Sequence, residues 1–280
     1  MRVAVIVILS MLSAAPLHAQ RRVPLPAGAR TVRNVAYGPA ARQRLDAYIP
    51  AGARRAPILF MVHGGGWTRG DKSSPGVVQN KVHHWLPQGY IVVSVNYRMV
   101  PDVDVREEAE DVARALAYVQ AHAASWGGDP DRVVIMGHSA GGHLVALVTA
   151  DSALAARAGV RPWLGTIGLD AGAYNVVTIM ESRHLPLYNH AFGRDPAFWR
   201  QVSPTLRLDH TTVPLLLACS ARRRDSCPQA EAFAARAKAQ GGDAAVLPLD
   251  KTHAQIDAEL GADAGYTKSV DGFLQGLGLP

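Results

Sequence analysis

Short apolar runs rich in β-branched residues alternate with segments of helical periodicity along most of this 280-residue chain. Four of these runs have the length and composition of buried strands: "APILFMVHG", "YIVVSVNYR", "RVVIMG" and "VPLLLACS". Between them lie helix-like segments such as "DVREEAEDVARALAYVQAHAASWGG", which begins with acidic residues and ends with glycine. Strands that alternate with helices predict an α/β fold with a mostly parallel sheet and helices on both faces. The opening segments "TVRNVAYG" and "QRLDAYIP" predict an antiparallel hairpin.

The amino terminus has the organisation of a secretory signal peptide. Arg2 precedes the apolar stretch "VAVIVILSMLSAAPL", and the small residue Ala19 stands before Gln20. The stretch is short for a membrane span, although retention as an uncleaved anchor is the alternative. We expect residues 1–19 to be removed and residues 20–280 to form a single α/β domain, periplasmic or secreted, with no stable membrane insertion.

The basic character of the chain does not indicate a nucleic-acid partner. The formal net charge is +6 and the sequence pI is about 9.5. The Lys and Arg residues are nevertheless scattered, and no platform of aromatic and basic residues is present. Attraction to a polyanionic matrix stays open, and no feature specifies an oligomeric state.

A serine stands at the turn between an apolar strand and an apolar helix. Residues 137–141, "GHSAG", fit the pattern G-x-S-x-G, in which the serine hydroxyl is exposed on a sharp turn above a sheet. The strand "RVVIM" and the helix "GGHLVALVTA" supply the strand–turn–helix setting that this motif requires. We therefore interpret Ser139 as a nucleophile; a tight turn that happens to contain serine is the alternative.

A second motif, "HGGGW" at residues 63–67, follows the carboxyl end of another predicted strand. Three consecutive glycines cost backbone entropy, which implies close approach to the main chain. The backbone N–H groups of Gly65 and Gly66, with that of Ala140 after the serine, could form an oxyanion hole. A phosphate-binding loop is the rival, but no glycine of this segment is followed directly by the Lys-Ser/Thr pair that such a loop would require.

The motifs "HGGGW" and "GHSAGG", with "VSVNYRMVP" between them, resemble those of the α/β-hydrolase superfamily, in particular the HGGG-type esterases and lipases related to hormone-sensitive lipase. Two further segments are similar to small bacterial esterases near the feruloyl and acetylxylan esterases: "AFGRDPAFWRQVSP" and "THAQIDAELG". The resemblance covers residues 30–278 and implies an α/β-hydrolase fold and ester hydrolysis. The short segment before His63 predicts little or no cap domain, and therefore an open cleft suited to short acyl chains.

A serine hydroxyl needs a general base, which in turn needs an orienting acid. In this superfamily the acid and then the histidine follow the serine. His253 follows the strand "AAVLPLD", where the resemblance also places the base, whereas His143 on the elbow helix is interpreted as packing. Three others lie in an irregular region around 173–210 and could line the cleft: His184, His190 and His210.

The acid has two candidates. Asp225 follows the strand before the last and precedes a helix, which is its usual place, and we favour it. Asp170, in "GLDAG", follows an earlier strand and could reach the same histidine in a variant arrangement. Asp250 is interpreted as capping a turn.

The two cysteines, Cys219 and Cys227, bracket Asp225. Export and an even cysteine count predict a disulfide, with two separate thiols as the alternative. The run of three arginines at 222–224 would tend to splay the loop, so a crosslink could hold Asp225 beneath His253.

Together these features predict a carboxylesterase-type serine hydrolase acting on short-chain, small aryl or sugar esters through an acyl-enzyme. Its catalytic residues would be Ser139, His253 and Asp225, with Trp67 and His138 as substrate contacts. No metal or organic cofactor is expected, and the partner is a small-molecule ester. An amide or peptide hydrolase and a non-catalytic binding protein are the alternative functions.

Overall fold

The computed structural model describes residues 23–280, so the predicted signal peptide lies outside the described residues. The strands are β1 (Arg30–Ala36), β2 (Arg44–Ile49), β3 (Ala56–Val62), β4 (Ile91–Val95), β5 (Gly128–His138), β6 (Gly165–Leu169), β7 (Leu215–Ser220) and β8 (Ala244–Leu249). They form one sheet in the order β1-β2-β4-β3-β5-β6-β7-β8. β1 and β2 form the expected antiparallel hairpin, β2 is antiparallel to β4, and the remaining neighbours are parallel.

Helices cover both faces of this sheet. They are α1 (Pro75–Trp85), α2 (Val105–His122), α3 (Ala140–Ala150), α4 (Ser152–Arg157), α5 (Val176–Met180), α6 (Pro186–Phe192), α7 (Pro196–Gln201), α8 (Pro204–Arg207), α9 (Ser226–Ala239), α10 (His253–Ala258) and α11 (Ala264–Gly276). Successive side chains of β3 point to opposite faces of the sheet, because side chains alternate along a strand. Phe60 packs in a cluster with residues of α2 and α3, and Met61 in a cluster with residues of α1, α10 and α11. The predicted fold class is therefore confirmed.

Strand register brings the loops of the site to one edge. His138 at the end of β5 lies opposite Leu169 of β6, which lies opposite Ala218 of β7. Ser220, at the end of β7, lies opposite Leu249 of β8. The loops that follow these strands consequently meet at the carboxyl edge, where open α/β sheets bind ligands.

The region 173–210, expected to be irregular, contains the four short helices α5 to α8. Three of them begin with proline at the first position, which is preorganised for a helix start: Pro186, Pro196 and Pro204. Tyr188 and Phe192 of α6 pack against Trp67, with ring centroids 5.9 and 4.7 Å away. Within residues 23–280 no helix precedes β1, so the cover of the cleft comes from this insertion between β6 and β7. In the same range, no helix is long and apolar enough to span a membrane.

Candidate active site

Ser139 lies on the turn between β5 and α3 with a strained backbone, φ 55° and ψ −119°. The turn is tight, because a Cβ on Gly137 would lie 2.2 Å from the carbonyl oxygen of Gly141. The N–H of Ser139 donates to the carbonyl of Leu169 at 2.9 Å, which ties the turn to β6. Ser139 lines a cleft of about 760 Å³. The local geometry is that of a nucleophile elbow.

His253 links this serine to a carboxylate. The residue follows β8 and is the first residue of α10, whose start is capped by Thr252. Its Nε2 lies 2.9 Å from Ser139 Oγ, and its Nδ1 lies 2.5 Å from Asp170 Oδ2. Since a carboxylate only accepts, Nδ1 carries the proton and Nε2 is free to accept from the serine hydroxyl. Hydroxyl, imidazole and carboxylate thus form one hydrogen-bonded chain.

The preference for Asp225 as the partner of His253 is wrong in this structure. The Asp225 carboxylate binds Arg223 Nη2 at 3.2 Å and makes no hydrogen bond to His253. Its side chain is 43% exposed, whereas that of Asp170 is fully buried. Asp170 directly follows β6, and its backbone has φ 51°. The carboxylate therefore comes from the strand next to the nucleophile strand, the variant arrangement considered as the alternative.

The loop between β7 and α9 supplies hydrogen-bond donors to this carboxylate. The N–H of Ser220 donates to Asp170 Oδ1 at 2.7 Å, and the Ser226 hydroxyl donates to the same oxygen. Arg223 Nη1 lies 2.9 Å from Oδ2 and 3.0 Å from His253 Nδ1. Burial alone would raise the pKa of Asp170, but the hydrogen bonds from His253 and Ser226 and the charge of Arg223 hold it well below its usual range. The carboxyl is consequently ionised at neutral pH.

The run of arginines does not splay this loop, and two of its three charges are paired with separate partners. Arg222 binds Asp250 at 2.7 Å, so Asp250 forms an ion pair instead of capping a turn. Arg223 binds both Asp170 and Asp225. The predicted disulfide between Cys219 and Cys227 is confirmed, with a Cα–Cα distance of 5.1 Å. It closes the loop that carries the donors to Asp170.

Backbone N–H groups line the cleft beside the serine. Gly65 has φ 128°, and a Cβ there would lie 1.9 Å from the carbonyl oxygen of Arg69, so only glycine fits. In the described part of the chain, the N–H groups of Gly65 and Gly66 donate to no protein acceptor. Ala140 is the first residue of α3, where N–H groups lack intrahelical partners. The three N–H groups assigned to an oxyanion hole thus lie on one cleft with Ser139.

Trp67 and His138, the predicted substrate contacts, also line this cleft but are 3% and 8% exposed. The Trp67 indole donates to His143 Nδ1 at 3.2 Å, which makes His143 a packing residue, as expected. His138 packs against the ring of His253, with centroids 4.5 Å apart. Both side chains therefore contact protein over most of their surface.

The outer cleft includes groups that sequence reasoning missed. Leu185 and Leu187 are 59% and 40% exposed at its mouth, where a Cβ on Gly66 would lie 4.0 Å from Leu187 Cδ1. Their only signal in the sequence is two leucines within the polar segment "ESRHLPLYNH". Of the three histidines in the insertion, His190 lines the cleft, whereas His184 and His210 do not. Within residues 23–280, no group of three or more His, Cys, Asp or Glu is arranged to hold a metal ion.

The fold is that of the α/β hydrolases, and hydrogen bonds join a serine, a histidine and an aspartate in the site. The BD-FAE family matches residues 45–159, which include both glycine motifs. The probable carboxylic ester hydrolase LipM of Mycobacterium tuberculosis is 46% identical over 92 residues, 33% of this chain and 21% of LipM. Esterase LipQ of the same organism is 30% identical over 238 residues, 76% of this chain and 54% of LipQ. The chain thus spans about half or less of the length of these two relatives.

A solved structure extends the likeness over nearly the whole described chain. Esterase B from Lactobacillus rhamnosis superposes with a TM-score of 0.72 at 22% identity, covering 91% of this chain and 87% of that one. At this identity the match shows the α/β-hydrolase fold. The resemblance to HGGG-type esterases that the motifs indicated is confirmed.

Proposed function

We propose that this chain is a serine carboxylic-ester hydrolase whose triad is Ser139, His253 and Asp170. The observation that carries the proposal is the continuous chain of hydrogen bonds from Ser139 Oγ through both ring nitrogens of His253 to the buried Asp170 carboxylate. The names of LipM and LipQ, a probable carboxylic ester hydrolase and an esterase, support the same chemistry.

The reaction proceeds through an acyl-enzyme. Ser139 Oγ attacks the ester carbonyl carbon while His253 Nε2 takes the hydroxyl proton. The negative oxygen of the tetrahedral intermediate accepts hydrogen bonds from the N–H groups of Gly65, Gly66 and Ala140. The intermediate then breaks its bond to the alcohol oxygen, to which His253 delivers the proton.

Deacylation repeats these steps with water as the nucleophile. His253 Nε2 removes a proton from the water that attacks the acyl carbon, and the proton returns to Ser139 as the carboxylic acid leaves. Throughout, Asp170 accepts from Nδ1 and thereby keeps the proton off Nε2 in the resting state.

Substrates are proposed to be short-chain, small aryl or sugar esters. Among residues 23–280, the short helices of the insertion provide the cover of the cleft. The side chains of Leu185 and Leu187, here called the apolar lip, can contact a short acyl chain at the mouth of the cleft.

Labelling with a fluorophosphonate and a panel of esters tests the proposal. We expect stoichiometric modification at Ser139 and turnover of p-nitrophenyl acetate and butyrate, assayed beside feruloyl and acetyl-sugar esters. Label on another residue, ester turnover that persists after stoichiometric labelling, or no ester turnover by the unlabelled protein would contradict it. Comparable turnover of an anilide analogue would instead favour the amide hydrolase.

Export is proposed on separate grounds. The sequence of residues 1–19 has the pattern of a signal peptide, and the disulfide in the described chain is of a kind that persists in oxidising compartments. Amino-terminal sequencing of the protein from a secreting host tests this; a chain that still begins with Met1 would contradict cleavage.

A further inference from the structure

A second, buried polar chain lies next to the catalytic base. It consists of His138, Asp257 and Lys81, from β5, α10 and α1, which are 8%, 7% and 2% exposed. Lys81 Nζ binds Asp257 Oδ1 at 2.8 Å and the carbonyl oxygen of Asp257 at 2.7 Å. Asp257 Oδ2 lies 3.5 Å from His138 Nδ1. The triad mechanism uses none of these three side chains.

His138 connects this chain to the base. Its Nε2 lies 3.0 Å from the carbonyl oxygen of His253, and the two imidazole rings are tilted by 37°. A carbonyl only accepts, so the His138 proton is on Nε2. Because His138 directly precedes Ser139, this bond ties the residue beside the nucleophile to the residue that carries the base.

We propose that His138 is a positioning residue that sets the distance between Ser139 Oγ and His253 Nε2. We propose further that Lys81, by pairing with Asp257, keeps His138 uncharged while His253 holds the proton. The inference rests on the proposed serine-hydrolase function and adds a role for residues outside its triad.

The charge of His138 matters because His253 becomes an imidazolium at each proton transfer. A second cation at ring distance would oppose that step, and the two charges would interact in a poorly solvated site. The charged or titratable groups that face His138 are Asp257 and His253 from α10 and Lys81 from α1; the neighbouring oxyanion loop contributes Gly64, which has no charge. Burial lowers the pKa of His138, Asp257 and the hydrogen bond to the His253 carbonyl act to raise it, and the charges of His253 and Lys81 act to lower it.

Two substitutions at His138 distinguish the effect of its hydrogen bond to His253 from the effect of its side-chain volume. His138→Leu introduces an apolar side chain of comparable size that cannot donate a hydrogen bond to the His253 carbonyl. His138→Gln retains a neutral N–H donor at a similar position. We expect the leucine variant to lower kcat by about tenfold or more with KM within about twofold, since loss of orientation acts on the chemical step. The glutamine variant should recover most of kcat; equal kcat in wild type and His138→Leu would overturn the positioning role.

Lys81→Met tests the charge argument. Without Lys81, the Asp257 carboxylate should stabilise protonated His138, so the acid limb of kcat should move to higher pH while activity on the alkaline plateau is kept. The shift should be absent in the Lys81→Met/His138→Gln double variant, which has no imidazole to protonate. A shift of the same size in that background would overturn the proposal.

A matched control and a rescue complete the design. Lys238→Met removes one positive charge from the exposed surface of α9 and should leave the pH profile unchanged. Lys81→Met/Asp257→Asn removes both charges of the buried pair and should return the acid limb to its wild-type position, and it avoids an unpaired buried carboxylate if Lys81→Met alone folds poorly. An acid limb that stays shifted in this variant would contradict the role of Asp257.

The rate of fluorophosphonate labelling at Ser139 provides a readout apart from ester turnover. His138→Leu should slow labelling at pH 8, and His138→Gln should not. If wild type labels but cleaves none of the esters tried, the proposed substrate class fails while this comparison still tests His138. Equal labelling rates in all three proteins would overturn the inference.

Discussion

The nucleophile turn and the surroundings of the acid differ in how they are built. The turn around Ser139 is local: β5, the serine and α3 are continuous in sequence, and its shape follows from glycines at fixed spacing. The acid site is assembled from separate segments. Asp170 comes from the end of β6, whereas Ser220, Arg223 and Ser226 come from the loop after β7. A local pattern therefore identifies the nucleophile, but the identity of the acid depends on which residues of two loops face each other.

Because the nucleophile comes from this turn, we expect a substitution of Ser139 to have the largest effect on ester cleavage. Ser139→Ala should reduce ester cleavage by about 10⁴-fold or more, because the covalent route is lost. The fold should persist, since a small side chain fits the turn, and thermal unfolding by circular dichroism checks this. A residual rate above about a thousandth of wild type would not fit covalent catalysis by this serine.

The two aspartates provide a direct comparison within the acid site. Asp170→Asn should lower kcat by about 10⁴-fold, as expected when the imidazole loses the carboxylate that fixes its tautomer. Asp225→Asn, which affects only an exposed ion pair with Arg223, should cost less than about tenfold. Steady-state kinetics on p-nitrophenyl butyrate measure both. The assignment fails if the Asp225 variant has the larger loss.

The disulfide should have an intermediate effect that is confined to the acid loop. Cys219→Ser/Cys227→Ser is expected to lower kcat several-fold more than it raises KM, because the loop positions donors to Asp170 and does not bind the ester. In the entropic account of disulfides, the free energy of unfolding should fall by about 2–3 kcal/mol. Denaturant unfolding and kinetics test the two parts. Full kcat in the double variant would show that the loop holds its shape without the crosslink.

The apolar lip should give the smallest effect, on substrate preference. Each methylene buried against it is worth about 0.8 kcal/mol, or about fourfold in kcat/KM. Leu187→Ala should therefore lower kcat/KM for butyryl more than for acetyl esters, whereas Leu206→Ala, at a similarly exposed leucine outside the cleft, should change neither. Turnover of a palmitoyl ester faster than a butyryl ester by wild type would contradict the expected short-chain preference.

Much of the fold was predictable because its signals are periodic or local. Buried strands, the long helix α2 and the hairpin of β1 and β2 follow from hydrophobic patterns, and the disulfide follows from the even cysteine count and the predicted export. Helices α5 to α8 have four to seven residues each, too few to establish a helical period. The partner of His253 could not be predicted because the aspartates at the ends of β6 and β7 satisfy the same chain order. Arg223 binds both aspartates, but only Asp170 also accepts hydrogen bonds from Ser220 and Ser226, and residue order does not encode these contacts.

The pairing register of the sheet, described above through His138, Leu169 and Ala218, determines more than where the loops lie. Ser139 and Asp170 each follow the last residue of one register pair, so the register places the two turns that carry them side by side. A slip of one residue between β5 and β6 would turn Asp170 toward the opposite face of the sheet and remove the bond from the Ser139 N–H to the Leu169 carbonyl. The alignment of the hydroxyl, imidazole and carboxylate therefore depends on backbone pairing across the four adjacent strands β5, β6, β7 and β8. A substitution that alters this pairing would change the catalytic geometry even if it lies far from the site.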